Sequence, residues 1–226
     1  MSIRVAVIGV GNIGVAHASS IYNGEIEGME LCALCDNDKN KQSAIKAQFP
    51  DVAFYEDSEA LIKDDKVDAI IVSTPHYFHV PISKMALEHK INVLCEKPIG
   101  VYTLGMDELF EAHKKSGAVF AVMLNQRANK LFATAKQIID NGEIGRIKRS
   151  VWIITNWYRT QEYYNSSPWR ATWQGEGGGV LMNQAPHNLD LWQWLCGMPS
   201  AIYARCDEGK YHNIEVEDDA TVMMRY

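Results

Sequence analysis

Short apolar runs alternate with amphipathic stretches through the first half of the chain. Ile3 to Ile8, Met29 to Cys35, Val52 to Tyr55, Val67 to Val72, Asn92 to Glu96 and Ala118 to Leu124 have the length and apolar character of buried strands. Between them lie segments with helical signals: one after Gly14, Asp38 to Gln48, a short one that Ser58 can cap and that ends near Lys63, one with Pro81 in its first turn that runs to about Lys90, and one from Thr103 to Gly117. Gly117 suits the left-handed position just past a helix end. Strands alternating with helices over about 120 residues predict an α/β domain with a doubly wound parallel sheet, whose ligands bind at the carboxyl ends of its strands.

The pattern then changes. Helix propensity returns from Asn129 to Asn141 and stops at Gly142. Arg146 to Trp157 alternates like a longer strand of an amphipathic antiparallel sheet, Leu189 to Leu195 reads as an apolar helix, and Asp219 to Tyr226 is strand-like again. The expected organisation is a doubly wound Rossmann domain over residues 1–125. An α+β second domain with a largely antiparallel open sheet follows over residues 126–226. There are no internal repeats and no low-complexity segment.

In such a sheet the chemistry belongs at the strand ends, here the turn from Gly9, Asp36, Ser73-Thr74-Pro75, Glu96-Lys97-Pro98 and Asn125-Gln126-Arg127. The first strand runs into Gly9-Val10-Gly11-Asn12-Ile13-Gly14. Gly9 permits a tight turn, Gly11 lets a pyrophosphate approach the backbone, and Gly14 lets helix and strand pack closely. The helix that opens at Asn12 and Ile13 offers N–H groups and the positive end of its dipole to phosphates. Asp36, 22 residues after Gly14 at the end of the second strand, is placed to accept from an adenosine ribose. Its charge repels a 2′-phosphate, and neither Asn37 nor Asp38 is an arginine, so the expected cofactor is NAD, with NADP less favoured; Lys39 and Lys41 lie close by.

Composition narrows the class of partner. The chain has 226 residues, 47% hydrophobic and 22% charged, as an ordinary globular chain does. A net charge of −6 and the lack of any basic block argue against nucleic acid. No apolar run approaches the roughly 20 residues that span a bilayer, so no membrane partner is expected. An odd count of five cysteines suits reduced thiols, and the cytoplasm is the simple compartment. Cys32 and Cys35 form a C-x-x-C on the second strand; residues three apart there should face opposite sides of the sheet, which suits core packing rather than zinc. His76 and His79 are not read as a metal pair, and no metal is expected.

With Cys95-Glu96-Lys97-Pro98 added to the glycine turn, Ser73-Thr74-Pro75 with His79, and Gly177-Gly178-Gly179 leading to His187 and Asp190, the chain resembles the Gfo/Idh/MocA family of NAD(P)-dependent oxidoreductases. Trp169-Arg170 also looks like a family cofactor and active-site element. The resemblance spans almost the whole chain. It implies hydride transfer between a nicotinamide and a secondary alcohol or carbonyl of a sugar, polyol or nucleotide-sugar. Lys97 would sit beside the nicotinamide and His187 would meet it from the second domain, the two acting as proton carriers. Gly9, Gly11, Asn12, Ile13, Gly14, Asp36, Ser73, Thr74, Pro75, His79, Glu96, Lys97, Pro98, Asn125, Trp169 and Arg170 would hold the cofactor. Asn183, Asp190, Trp169 and Arg170 would shape the substrate end.

The chemistry is coherent: hydride leaves carbon as the hydroxyl proton leaves oxygen, so a base must reach that oxygen. A lysine near a cationic ring has a lowered pKa, and histidine titrates near neutrality unaided. The family often has Asp four residues before the histidine, where this chain has Asn183, which cannot accept a proton. Family members usually carry a larger second domain whose sheet often forms a homo-oligomer interface. Asp219 to Tyr226 reads as the middle of that sheet, so the domain is expected to be truncated or reduced. Two other classes compete with an enzyme: an NAD(P)-binding regulator without turnover, and a structural fragment with an incomplete pocket.

Overall fold

The computed structural model describes residues 2–64, 66–155 and 157–226. They form two compact units, one up to Met123 and one from Leu124 onward. The first holds a six-stranded parallel sheet in the order β3-β2-β1-β4-β5-β6, with β1 at Ile3–Ile8, β2 at Met29–Cys35, β3 at Ala53–Tyr55, β4 at Ala69–Val72, β5 at Asn92–Cys95 and β6 at Phe120–Val122. The order reverses between β1 and β4, which opens a crevice at their carboxyl ends.

Both faces of this sheet are covered, which is why the strands lack a polar face. Val5 and Val7 of β1 pack with Ala18 and Ile21 of α1 (Asn12–Tyr22) and Ile45 of α2 (Lys39–Gln48). Ala6 and Ile8 point the other way, into a core built from Leu61 and Ile62 of α3 (Ser58–Lys63), Ile82, Ala86 and Leu87 of α4 (His79–Glu88), and Leu109 of α5 (Thr103–Ser116). Gly117 ends α5 at φ 70°, as its sequence position requires.

In the first unit two details differ from the sequence reading. The cap of α3 is Asp57, whose carboxylate accepts from the Ala60 N–H at 2.9 Å, and Ser58 is the first helical residue; Asp57 has the extended backbone that a cap needs. Cys32 and Cys35 lie on the same side of the sheet and pack into one core, because the β1–β2 register slips at Cys32. Burial pushes the Cys35 thiol up to about 12.

The second unit contains α6 (Lys130–Asp140), α7 (Gln161–Asn165), α8 (Pro186–Cys196) and a two-stranded antiparallel sheet of β7 (Ala201–Glu208) and β8 (Glu217–Arg225). Asn129 caps α6 by accepting from the Leu131 N–H. A π-helical turn, Val180–Gln184, precedes α8 and has no strong sequence signature. The strand expected from Arg146 to Trp157 is not formed by residues 146–155, and Asn156 lies outside the described residues. Alternation gives a segment two faces, but a strand also needs a neighbour to pair with, and none lies against this one among the described residues.

Candidate cofactor and active site

The glycine turn packs on the end of β4. Gly9 has φ 94°, and a Cβ there would lie 2.7 Å from the backbone of Ser73 and Thr74. At Gly14 a Cβ would lie 1.9 Å from the Gly9 carbonyl oxygen, so α1 approaches its strand as only glycine allows. Gly11 is different: no atom of the described residues lies within 4 Å of a Cβ built on it. It caps α1 with no side-chain hydrogen bond to the helix's first N–H groups, which belong to Asn12 and Ile13. Ser73 locks the turn from the other side, its Oγ donating to the Gly9 carbonyl at 2.8 Å.

Asp36 stands beside this turn, buried, and accepts from the Val10 N–H at 2.9 Å, the Asp38 N–H at 2.9 Å and Lys41 Nζ at 3.0 Å. The acid predicted to meet the ribose therefore also braces the phosphate turn. Open space at Gly11, an uncapped helix start and the buried Thr74 hydroxyl, which has no partner among the described residues, together fit a dinucleotide.

At the end of β5, Glu96 is buried. Its Oε1 lies 2.8 Å from His17 Nε2 and its Oε2 accepts from the Lys97 N–H at 3.2 Å. Burial acts to raise the Glu96 pKa, but the His17 contact and the Lys97 N–H outweigh it and hold the carboxyl below its ordinary value. The Lys97–Pro98 peptide is cis. His79 is 1% exposed, with Nδ1 2.6 Å from the Pro98 carbonyl and Nε2 2.7 Å from the Thr74 carbonyl. It ties the ends of β4 and β5 together through their backbones. Burial lowers its pKa, with the two carbonyls acting in the opposite sense.

In the second unit, the Arg170 guanidinium lies 4.6 Å from the Trp169 ring and 4.4 Å from the Tyr163 ring, and Nη1 donates to the Tyr163 hydroxyl at 2.6 Å. The following residue, Ala171, has φ 55°. Its N–H donates at 2.7 Å to Glu176, a carboxylate only 1% exposed, which also accepts from Asn183 Nδ2. Gly179 packs so tightly on β8 that a Cβ would lie 1.9 Å from the Glu217 carbonyl oxygen. The Glu217 carboxylate accepts from the Gly179 and Leu181 N–H groups at 2.9 and 3.0 Å, and so opens the π-helical turn that carries Asn183.

His187 is the second residue of α8, after Pro186 at its start. Asp190, one turn on, accepts both an Nε (2.8 Å) and an Nη2 (2.5 Å) hydrogen bond from Arg127, and this raises the arginine pKa. Asn125 begins the 3-10 turn that carries Arg127.

The first unit thus gathers Gly9, Gly11, Gly14, Asp36, Ser73, Thr74, His79, Glu96 and Lys97 around adjacent strand ends, and the second gathers Trp169, Arg170, Asn183, His187 and Asp190 around its glycine-rich turn. His17, Glu176 and Arg127 were missed as partners. A carboxylate between two glycines, Gly175-Glu176-Gly177, was a usable signal; nothing local marks His17 as the partner of a residue 79 positions away.

Residues 3–124 match the model described as the oxidoreductase family, NAD-binding Rossmann fold, and residues 132–226 match the GFO/IDH/MocA C-terminal domain. The chain belongs to the GFO/IDH/MocA oxidoreductase family. Within it, the chain is 30% identical over 203 residues to an uncharacterized oxidoreductase, YdgJ, of Escherichia coli K12, covering 86% of this chain and 55% of that protein. It is 27% identical over 194 residues to the myo-inositol 2-dehydrogenase of Thermotoga maritima, again covering 86% and 55%. The fold is similar to the WlbA dehydrogenase of Bordetella pertussis, solved with NADH and UDP-GlcNAcA, at TM-score 0.89 and 28% identity over 100% of this chain and 68% of that one. The chain spans about half the length of the curated relatives it matches. No helix among the described residues is long and apolar enough to cross a membrane.

Proposed function

We propose that the protein is an NAD-dependent oxidoreductase acting on a secondary alcohol, or its carbonyl, in a sugar, polyol or nucleotide-sugar. The observation that carries this reading is an open Gly11 cradle after β1 and a backbone-anchored Lys97 after β5, at the carboxyl ends of two strands that flank β4 in one sheet. The names of the relatives, an inositol dehydrogenase and a nucleotide-sugar-bound dehydrogenase, support the substrate class.

When bound, NAD supplies the hydride acceptor. The chain's own task is to hold it, to orient the alcohol and to move one proton. Gly11, the first N–H groups of α1 and Asp36 would hold the phosphates and ribose, and Thr74 would offer its hydroxyl. Asp36 favours NAD because its carboxylate opposes a 2′-phosphate; Lys41 beside it lessens that preference. Lys97 and His187 are the proton carriers: each can take the hydroxyl proton, and in its cationic form each can stabilise the developing alkoxide in the reverse direction. Trp169 and Arg170 belong to the cofactor and substrate end, and Asn183 orients substrate. The odd count of five cysteines supports a cytoplasmic reading, and a homo-oligomer is expected if the second domain is complete.

Calorimetric titration with NADH and NADPH comes first, followed by turnover of myo-inositol and a panel of sugars and nucleotide-sugars with NAD. Lys97→Ala is expected to keep NADH affinity within about threefold while lowering kcat by at least about 100-fold. Undiminished turnover in that variant would remove Lys97 from the chemistry, and failure to bind either nucleotide would overturn the reading.

A further inference from the structure

We infer that Glu176 is a positioning residue that sets the orientation of Asn183, and that these two side chains form an exchangeable acid–amide pair at the substrate end. This rests on the reading of Asn183 as part of that end, but the contact itself can be tested without turnover.

A carboxylate that is 1% exposed must be matched by donors. Glu176 receives two that define its place: the N–H of Ala171, held at a left-handed φ of 55° directly after Trp169-Arg170, and Nδ2 of Asn183 on the π-helical turn. One buried acid therefore joins the Trp169-Arg170 turn to the turn that leads to His187.

The contact also decides which way the amide faces. An ionised carboxylate only accepts, so it selects the NH2 group of Asn183 and turns Oδ1 the other way. Asn183 is thereby set with its acceptor oxygen directed away from Glu176, an orientation that suits a donating substrate hydroxyl and that a freely flipping amide would lack. The same geometry explains why an amide stands where relatives often carry an acid. Asp at 183 would press its carboxylate against that of Glu176, and two such groups cannot both ionise in a buried site.

Four versions of the 226-residue chain test this: wild type, Glu176→Gln, Asn183→Asp and the exchange variant Glu176→Gln/Asn183→Asp, each unfolded by urea at intervals from pH 5 to 8. In Asn183→Asp the two carboxyls share a proton in the folded state that the unfolded state does not hold. Folding then takes up a proton, and the folding equilibrium constant falls by up to tenfold per pH unit as pH rises. The exchange variant keeps one acid and one amide in contact and should lose that slope, recovering most of the stability that either single variant loses.

A wild-type pH profile in Asn183→Asp, or an exchange variant no more stable than the two single changes predict together, would overturn the inference. If Glu176→Gln does not fold, the slope in Asn183→Asp alone decides. A slope and rescue without turnover on any sugar would leave the pair standing and remove only the functional reading. With turnover present, Asn183→Ala is expected to raise KM with little change in kcat, and Glu176→Gln to move KM in the same direction.

Discussion

Gly11 and Gly14 are three residues apart in one motif, yet their replacement by alanine should have opposite consequences. At Gly14 the added Cβ would sit 1.9 Å from the Gly9 carbonyl oxygen and 2.7 Å from Ser73 Oγ. A carbon–oxygen contact needs about 3.3 Å, so helix and strand would have to part by roughly 1.4 Å where the turn is locked between β1 and β4. The obstacle is backbone, so the cost should reach or exceed the upper end of the roughly 1–3 kcal/mol typical of overpacking. At Gly11 the Cβ meets nothing within 4 Å among the described residues, and the backbone, at φ −78°, accepts alanine. Reduced unfolded-state entropy and a poorer helix cap then oppose each other, leaving stability within about 0.5 kcal/mol of wild type.

Gly11→Ala should nevertheless weaken NADH by at least about tenfold, or 1.4 kcal/mol, because the methyl group projects into the space proposed for the pyrophosphate. Stability is best read by far-UV circular dichroism in urea, since every tryptophan lies in the second unit, from Trp152 onward. Binding is read by calorimetry. Wild-type NADH affinity in Gly11→Ala would refute the placement of the cofactor. Wild-type stability in Gly14→Ala would refute the packing argument.

Other consequences follow from the polar contacts between side chains and backbone or between charged groups. Glu96 has a folded pKa below its unfolded value of about 4.3, so the stability it contributes is present above that pH and is lost as pH falls through the folded value. Glu96→Gln should therefore cost on the order of 1–3 kcal/mol at pH 7, with the difference from wild type shrinking below about pH 4 in urea titrations. His79→Ala removes the partner of the Thr74 and Pro98 carbonyls and should cost roughly 2 kcal/mol or more; hydrogen exchange should show the loss of protection confined to the ends of β4 and β5. Arg127→Ala leaves Asp190, whose side chain is 11% exposed, without its paired N–H donors. Because the arginine itself is 43% exposed, the expected loss is only about 1–2 kcal/mol by urea denaturation.

Much of the first unit could be read directly from the chain. The period of its apolar runs, the spacing from Gly14 to Asp36 and the glycine past α5 are local signals, because each depends on backbone conformation within one element. The same signals placed Lys97 at a strand end, since a strand followed by Pro98 must turn there. In the second unit local signals were weaker: Arg146 to Trp157 alternates like a strand, but pairing needs a neighbour that alternation cannot specify. The π-helical turn at Val180–Gln184 was likewise invisible, because it is set by the Glu217 carboxylate on β8 and by the close packing of Gly179 on the same residue.

By itself, then, the sequence determined the alternating architecture of the sheet, its phosphate-binding turn and the family resemblance carried by residues from Gly9 to Asp190. Tertiary structure alone decided that His17 meets Glu96, that His79 spans two carbonyls, that Arg127 grips Asp190 and that Glu176 faces Asn183. Most of these contacts join separate elements, and all but the half-exposed Arg127–Asp190 pair depend on how buried polar groups settle against one another once water is excluded. A side chain of ordinary type at an ordinary position acquires its role only when packing brings its partners within hydrogen-bonding reach.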